Sequence, residues 1–442
     1  MIKIQKWIDD LESSLWLRPT VWLISMAILA ITLITIDRLF LLDEIRDLLP
    51  WFLKSGAEEA RTMLGAISTG MLTVTSLAFS LTMVTVVQTA NAYSPRILRQ
   101  YLGDTHNQHV FGVLIGTFLY SLLVLRAVRS GENTEFVPVL ATNMAIILSV
   151  IATGALIYFI NHVSQSIKVS NIIQLIFAHT KETAASLFPE NVGQPWIDAV
   201  PELPQRDPIV LTAEQSGYIQ LFDPESILRT AAEGELLIRA AYVVGDYVLA
   251  DAPLAEVWTD RALTEGQKNA IRGAFILGRE RSFTQDVRFG LRQLSDIALR
   301  AISPAVNDPT TTVNAIDSLA SILSQLMQHG RIIPYRCDDS GRLRLIFPDI
   351  TFADLLEEAY MQIVHYGLHD YIILARVIEV CGQLGASTAD EGYRQDLWAF
   401  VVMMMEKCDP TQHGPLEQRR INERLQKTAA QLEQDADPHY LK

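Results

Sequence analysis

Residues Met63 to Ala90 form a run of twenty-eight positions with no charged side chain, yet nine of them are Ser or Thr. The run is long enough to cross a bilayer, which needs about 20 mostly apolar residues. It is also more hydroxylated than a helix surrounded by lipid requires. A chain with this run must therefore place an unusually polar segment in a membrane. Its fold and function must explain which groups the hydroxyls contact.

Three other apolar runs accompany it. We predict four transmembrane helices at about 19–36, 63–90, 110–125 and 136–160, which together make residues 1–164 a transmembrane domain. Arg126 closes the third run and Trp22 lies at one edge of the first, as interfacial residues often do. Four spans put both termini on one side of the membrane.

The soluble region follows these spans. Residues 165–208 read as a helical extension and a proline-rich linker, and residues 209–260 alternate like short strands between turn residues. Residues 261–442 show mainly helical spacing of apolar positions. The predicted fold is therefore a mostly α membrane protein with four transmembrane helices, followed by a soluble region with a small β-barrel-like domain and a helical domain.

Charge is distributed unevenly between these regions. Residues 1–164 hold 11 basic and 12 acidic side chains, which leaves 25 basic and 38 acidic ones for the rest of the chain. An acidic soluble region argues against nucleic-acid binding, which usually shows a basic face. The three cysteines have no metal-ligand spacing, and free cysteines in a long C-terminal region favour cytoplasmic termini. The positive-inside count is even and does not decide the orientation.

On a helical projection, the hydroxyls of the second span cover an arc of about 140°. One interpretation is a pore: the arc would line a translocation path for ions, and apolar residues within it would form a constriction. A single helix cannot enclose a path, so this interpretation requires a closed homo-oligomeric ring. The other interpretation is close helix packing, in which Ser and Thr are common. The pore-lining candidates are Thr69, Leu72, Thr73, Ser76, Phe79 and Ser80.

Two further sets of residues are candidate sites. Arg96 and Arg99 follow Pro95 at the end of the second span, where they would form an anion-binding pore mouth or contact lipid phosphates. In the soluble region, a ligand site is predicted at Arg288, Arg292, Asn307 and Asp308, with a capped helical hairpin as the alternative. Asp308 is a candidate N-cap, because Pro309 follows it.

The chain contains no phosphate-binding loop, dinucleotide fingerprint, nucleophile elbow or zinc-protease motif. His365 and His369 are four residues apart, but no further ligand accompanies them. We therefore expect no enzyme activity, no cofactor and no metal. The expected partners are the lipid bilayer, further copies of the chain and ions.

Three segments resemble a known family. They are Ser76–Tyr101, Gly116–Arg126 and the run from Phe289 to Thr311 that contains Ser-Pro-Ala-Val-Asn-Asp-Pro-Thr-Thr. They are similar to the bacterial predicted-membrane-protein family known as domain-of-unknown-function family 2254. The resemblance implies a bacterial inner-membrane protein and supplies no activity and no functional residues. Two functions follow from the residues: a homo-oligomeric channel, or a membrane-anchored signalling or scaffold protein with a ligand-binding soluble domain.

Overall fold

The computed structural model describes residues 16–39, 56–92, 104–129, 136–166, 168–184, 187, 192–196, 201–436 and 439–441. Helices dominate these residues, and the strands lie in the C-terminal part. The chain divides into two compact units, one ending at Lys168 and one beginning at Val169. Each unit is described separately below.

The first unit confirms the four predicted apolar helices. Among the described residues, four helices are long and apolar enough to cross a membrane. Each extends beyond at least one of its predicted limits, because polar residues at the ends continue the helical hydrogen bonding. Their bounds are α1 Leu17–Leu39, α2 Ala57–Ala92, α3 Thr105–Ala127 and α4 Val139–Ser166.

Helix α3 lies at the centre of this unit and packs against the other three helices. Glycines allow α1 to approach it closely: a Cβ added to Gly112 would lie 2.6 Å from Trp22 Cγ, and one added to Gly116 would lie 2.8 Å from Met26 Cγ. The residue numbers of both partners increase from the first contact to the second, so α1 and α3 run parallel. Phe111 of α3 also contacts Phe79 of α2, with ring centroids 6.0 Å apart.

The second unit combines helices with two sheets. Its first half holds α5 Val169–Ala184, β1 Gln194–Pro195, β2 Ile209–Thr212, β3 Gly217–Phe222, α6 Pro224–Gly234, β4 Leu237–Ala240, β5 Tyr247–Val248, β6 Pro253–Trp258, α7 Glu265–Gly273 and β7 Phe275–Gly278. Its second half holds α8 Val287–Ala301, α9 Pro309–Gln328, β8 Tyr335–Cys337, β9 Leu343–Ile346, α10 Phe352–Gly367, α11 Tyr371–Ala386, α12 Glu391–Lys407 and α13 Pro415–Leu432.

The strands form two open sheets. One has the order β1-β8-β9-β4-β6-β2 and the other the order β5-β3-β7. Strand β9 pairs parallel to β4 and antiparallel to β8, so strands after residue 330 complete the sheet begun before residue 260. Within the described residues neither sheet closes on itself. The predicted β strands are therefore present, but the barrel-like part of the prediction is not confirmed.

Helix α5 belongs to the second unit rather than to an isolated extension. It packs against α8 and α9, and its apolar face is buried at Ile172, Ile173 and Ile176. Thr183 Oγ1 donates to the backbone oxygen of Phe283 at 2.8 Å. Further along the predicted linker, Gln194–Pro195 forms an edge strand against β8. Parts of residues 165–208 are thus structural elements of the soluble unit.

Candidate functional site

The second helix, α2, runs for 36 residues. At 1.5 Å per residue it is about 54 Å long, which exceeds a hydrocarbon core of about 30 Å. Glu58 and Glu59 occupy its first turn, where acidic side chains stabilise a helix N-terminus. Glu59 Oε2 also accepts from the backbone nitrogen of Gly56 at 3.2 Å. Its Ala, Leu and Met residues support the helix through a segment otherwise rich in residues of lower helix propensity.

All six predicted pore-lining residues are exposed on the surface of the four-helix unit. Leu72 is 51% and Phe79 is 43% exposed. The four hydroxyl residues lie beside them within an arc of about 60° at 100° per residue. We call these six residues the open stripe: Thr69, Leu72, Thr73, Ser76, Phe79 and Ser80. The structure thus brings the predicted set together on one exposed face, at whose edge Phe79 also contacts Phe111 of α3.

Four other hydroxyls of α2 point the other way. Ser68, Thr82, Thr85 and Thr89 are each at least 95% buried within the unit. Two contacts fix how α2 lies along α3: Arg61 Nη2 donates to Val128 O at 3.1 Å, and Phe79 meets Phe111. The single arc predicted from the sequence is therefore two faces, one used for packing and one left open.

The hydroxyls of the open stripe are not all alike. Thr73 Oγ1 donates to the Thr69 carbonyl at 2.9 Å, as buried Thr82 does to Ala78 at 3.0 Å. A hydroxyl that donates to its own helix keeps its lone pairs directed outward, where they can accept from water or contact a cation. Ser76 and Ser80 make no hydrogen bond with the rest of the described chain, so both their donor and their acceptors are available.

The predicted pore-mouth residues Arg96 and Arg99 lie outside the described residues. The helix is described as far as Ala92. Their proposed role at the end of the open stripe stays a prediction.

The soluble candidate site does not form one cluster. Arg288 pairs with Asp246 at 3.1 Å and approaches Glu358 at 3.9 Å. Arg292 donates to Asp296 at 3.0 Å and to Gln362 at 2.8 Å. Both guanidinium groups therefore already have partners within the unit.

Asn307 and Asp308 lie at the opposite end of α8, which separates them from Arg288 by about 20 Å along the helix. Asp308 caps α9, as the sequence predicted, and accepts from Thr311 N at 3.1 Å and Thr311 Oγ1 at 2.6 Å. The Thr311 hydroxyl and backbone hydrogen bonds lower the pKa of this carboxyl group. Asn307 has a positive φ of 49°, which makes the turn before the cap. Asn307 and Asp308 therefore form the turn and the helix cap of a helical hairpin, which was the alternative to a ligand site.

Arg336 was not predicted from the sequence. It is 8% exposed, lies between Pro195 and Leu345 across the sheet, and pairs with no carboxylate in the described part of the chain. Its Nε has no acceptor, and burial lowers its pKa. No local sequence signal distinguishes it from Arg344, which is also buried but donates to Asp338 at 2.7 Å.

The described residues contain no cluster of three or more His, Cys, Asp or Glu side chains arranged to hold a metal. Burial raises the pKa of the Cys381 thiol to about 12. Burial, with a smaller contribution from Asp409, raises the pKa of Cys408 to about 11. These thiols are protonated at neutral pH, which makes them poor nucleophiles.

The chain is similar in sequence to known proteins. A family model described as "Predicted membrane protein (DUF2254)" matches residues 12–383. Uncharacterized proteins of Mycobacterium bovis and Mycobacterium tuberculosis are 31% identical to the chain over 411 residues, which cover 90% of this chain and 77% of theirs. No solved structure matches the chain.

Proposed function

Because the chain belongs to the predicted membrane-protein family DUF2254, whose description assigns no activity, we propose its function from the geometry of α2. The proposed function is a homo-oligomeric channel of the bacterial inner membrane, with both termini cytoplasmic. The open stripe of each copy faces the axis of a closed ring and lines an ion path. The soluble unit assembles or regulates this ring.

The observation that carries the proposal is the exposure of the open stripe in a membrane helix. An unpaired hydroxyl in hydrocarbon costs about 4–8 kcal/mol on a water-to-cyclohexane scale. Ser76 and Ser80 can reduce this cost by donating to the carbonyl four residues back, but their lone pairs then still lack a donor in lipid tails. A water-containing axis removes this cost. The buried hydroxyls lie against protein instead: Thr82 donates to its own helix, and Ser68 and Thr89 are covered without a hydrogen-bond partner in the described chain.

Leu72 and Phe79 give the stripe a second property. They lie two turns apart on its edge and both are exposed. In a ring, each would repeat around the axis and form an apolar collar, which hinders ion passage by excluding water. The proposed path is therefore hydroxyl-lined with a gate at Leu72 and Phe79.

Electrical recording from the purified full chain in planar bilayers tests this function. We expect ion conductance, a reduced conductance for Ser76→Leu, and a raised one for Phe79→Ala because a collar side chain is removed. Leu81→Ala is the matched control, since Leu81 is exposed on another side of α2 and should not affect conductance. Absence of conductance, or equal effects of Phe79→Ala and Leu81→Ala, would contradict the proposal.

The alternative is a membrane-anchored signalling or scaffold protein. Arg336 favours it, because a buried guanidinium group without a carboxylate is costly and suits an anionic ligand. In this alternative the soluble unit binds a phosphate or carboxylate group at Arg336 rather than at the paired Arg288 and Arg292.

Thermal shift of the full chain with inorganic phosphate or acetate tests the alternative. A stabilisation that grows with anion concentration and is lost in Arg336→Gln would support it. The control is Arg419→Gln, which alters an arginine in an exposed ion pair with Glu423. Equal shifts in both variants would count against a site at Arg336.

A further inference from the structure

Histidines join the helices at one end of the four-helix unit. Trp22 Nε1 donates to His109 Nδ1 at 3.0 Å and joins α1 to α3. The other two contacts join α3 to α4: the Tyr158 hydroxyl meets His106 Nδ1 at 2.9 Å, and His162 Nε2 meets Asp104 Oδ2 at 2.5 Å. Only the Trp22–His109 contact requires an unprotonated imidazole nitrogen, because the tyrosine hydroxyl can donate or accept and the Asp104 carboxylate accepts from a neutral or a protonated ring. We call this the histidine end.

The opposite end of the unit is held by different chemistry. Asp37 of α1 accepts from the backbone nitrogens of Leu140 and Ala141, at 3.2 and 3.1 Å, and so caps α4. The Tyr120 hydroxyl donates to Ala141 O at 2.8 Å. None of these contacts uses histidine, the side-chain type that ordinarily changes charge between about pH 5 and 8. Mild acid should therefore act on one end of the unit only.

The contact between Trp22 and His109 has a fixed direction. An indole N–H can only donate, so His109 Nδ1 must carry a lone pair. A protonated imidazole ring has an N–H at both nitrogens and offers no acceptor. Protonation thus replaces an attractive contact by two opposed donors. Because the Trp22 ring rests against Gly112, the loss acts directly on the α1–α3 packing.

The second effect of acid is repulsion between rings. The centroids of His106 and His162 are 5.0 Å apart, and His162 also stacks on Tyr158 at 5.7 Å. Asp104 compensates one positive charge, and it also accepts from the backbone nitrogen of His106 at 2.9 Å to cap α3. When both rings are protonated, the second charge has no matching carboxylate in the described part of this end.

Two further basic groups at this end add to the repulsion. Arg18 lies one turn before Trp22 on α1, and its Nη1 is buried without a hydrogen-bond partner, while Lys168 follows the end of α4. Helix α2 carries no ionisable side chain from Met63 to Ala92, and α4 carries only Tyr158 and His162. His106 and His109 are both exposed on the surface of the four-helix unit. Acid therefore adds positive charge at the histidine end, where Asp104 is the one carboxylate among the described residues.

We propose that the histidine end is an acid-sensitive clamp, in which protonation of His109 releases Trp22 and separates α1 from α3. The Asp37 end stays closed and acts as the hinge. The clamp depends on the four-helix unit alone and does not require the chain to be a channel. Its direction is fixed: closed at neutral pH and open in mild acid.

Distances between spin labels on the full chain in lipid nanodiscs test the clamp. One label pair, Trp16→Cys with Thr105→Cys, reports the histidine end at two exposed positions, and the other, Leu39→Cys with Leu122→Cys, reports the Asp37 end. The buried native cysteines Cys337, Cys381 and Cys408 are replaced by serine. Between about pH 8 and about pH 5, the distance should lengthen and broaden at the histidine end and stay constant at the Asp37 end.

Substitution of His109 separates the clamp from a general effect of acid. His109→Gln keeps an oxygen acceptor for Trp22 that does not titrate, so the pH-dependent lengthening should disappear. His109→Ala should give the longer distance at both pH values, and His179→Gln, in the soluble unit, should behave as the unmodified chain. The clamp is overturned if the distances do not respond to pH, if both ends respond equally, or if the response survives in His109→Gln.

Discussion

Single residues decide where helices of this chain come into contact. Gly290 of α8 is the clearest case, because a Cβ added there would lie 2.6 Å from Thr180 Cγ2 of α5. The absence of a side chain thus allows α5 to lie directly on α8. Charged residues show the same dependence on one partner. Arg344 is paired with Asp338, whereas Arg336, which lies opposite the neighbouring residue Leu345 on the adjacent strand, has no such partner in the described chain.

Gly290→Ala should destabilise the soluble unit by about 1–3 kcal/mol, the usual cost of overpacking a tight contact. Gly273→Ala is the control: no atom lies within 4 Å of its added Cβ. Alanine is also the better helix former by up to about 1 kcal/mol, so this change should be neutral or stabilising. Thermal unfolding of both full-length variants measures the difference. Equal destabilisation would show that the α5–α8 contact is not tight.

Asp338 should contribute a pH-dependent part of the stability. Burial raises its pKa, but hydrogen bonds from Ser340, Arg344 and the Arg342 nitrogen outweigh burial and hold the pKa below its ordinary value. A carboxyl group with a lower pKa in the folded state stabilises the fold at pH above the unfolded value of about 4 and loses this effect as pH falls further.

Asp338→Asn should therefore lower the unfolding midpoint at neutral pH and reduce its fall below about pH 4. Asp339→Asn, at the exposed neighbouring position, should change neither. Unfolding midpoints of the full chain measured across this pH range test the prediction. A midpoint for Asp338→Asn that falls with acid as steeply as that of the unmodified chain would refute it.

At the scale of elements, the sequence predicted those features that depend on residues close together in the chain. The apolar runs predicted the four long helices of the first unit, and Asp308 before Pro309 predicted a helix cap. The helical period of the sequence could not separate the open stripe from the buried hydroxyls. Which face of α2 is buried depends on contacts with other helices, such as that of Arg61 with Val128, 67 residues apart. The pairing of Arg288 with Asp246 spans 42 residues and was unpredictable for the same reason.

Helix α5 provides the test at this scale. Ile176 is fully buried, whereas its neighbour Leu175 is 44% exposed. Ile176→Ala should destabilise the soluble unit by about 2–5 kcal/mol, the ordinary cost of a large-to-small change in a core. Leu175→Ala should stay within about 0.5 kcal/mol. If the two variants unfold alike, α5 is a linker and not part of the core.

At the scale of the whole molecule, the chain joins a membrane unit of four apolar helices to an acidic soluble unit of sheets and helices. The sequence indicated this division through apolar runs and charge balance, both of which depend on composition alone. It did not indicate that strands far apart in the chain share one sheet, because β9 meets β4 across more than a hundred residues. The proposed ring is a further level of organisation. It would cover the open stripe, which no described element of a single copy covers.

Thiol accessibility on α2 tests the central claim most directly. Ser76→Cys and Ser68→Cys place the same side chain two turns apart on one helix, in a background with the native cysteines replaced, but Ser68 is 5% exposed and Ser76 is open. During bilayer recording of the full chain, a charged, membrane-impermeant thiosulfonate reagent should reduce the current at once for Ser76→Cys and leave Ser68→Cys unchanged. No modification at Ser76→Cys, or equal modification of both, would show that the open stripe does not face an aqueous path.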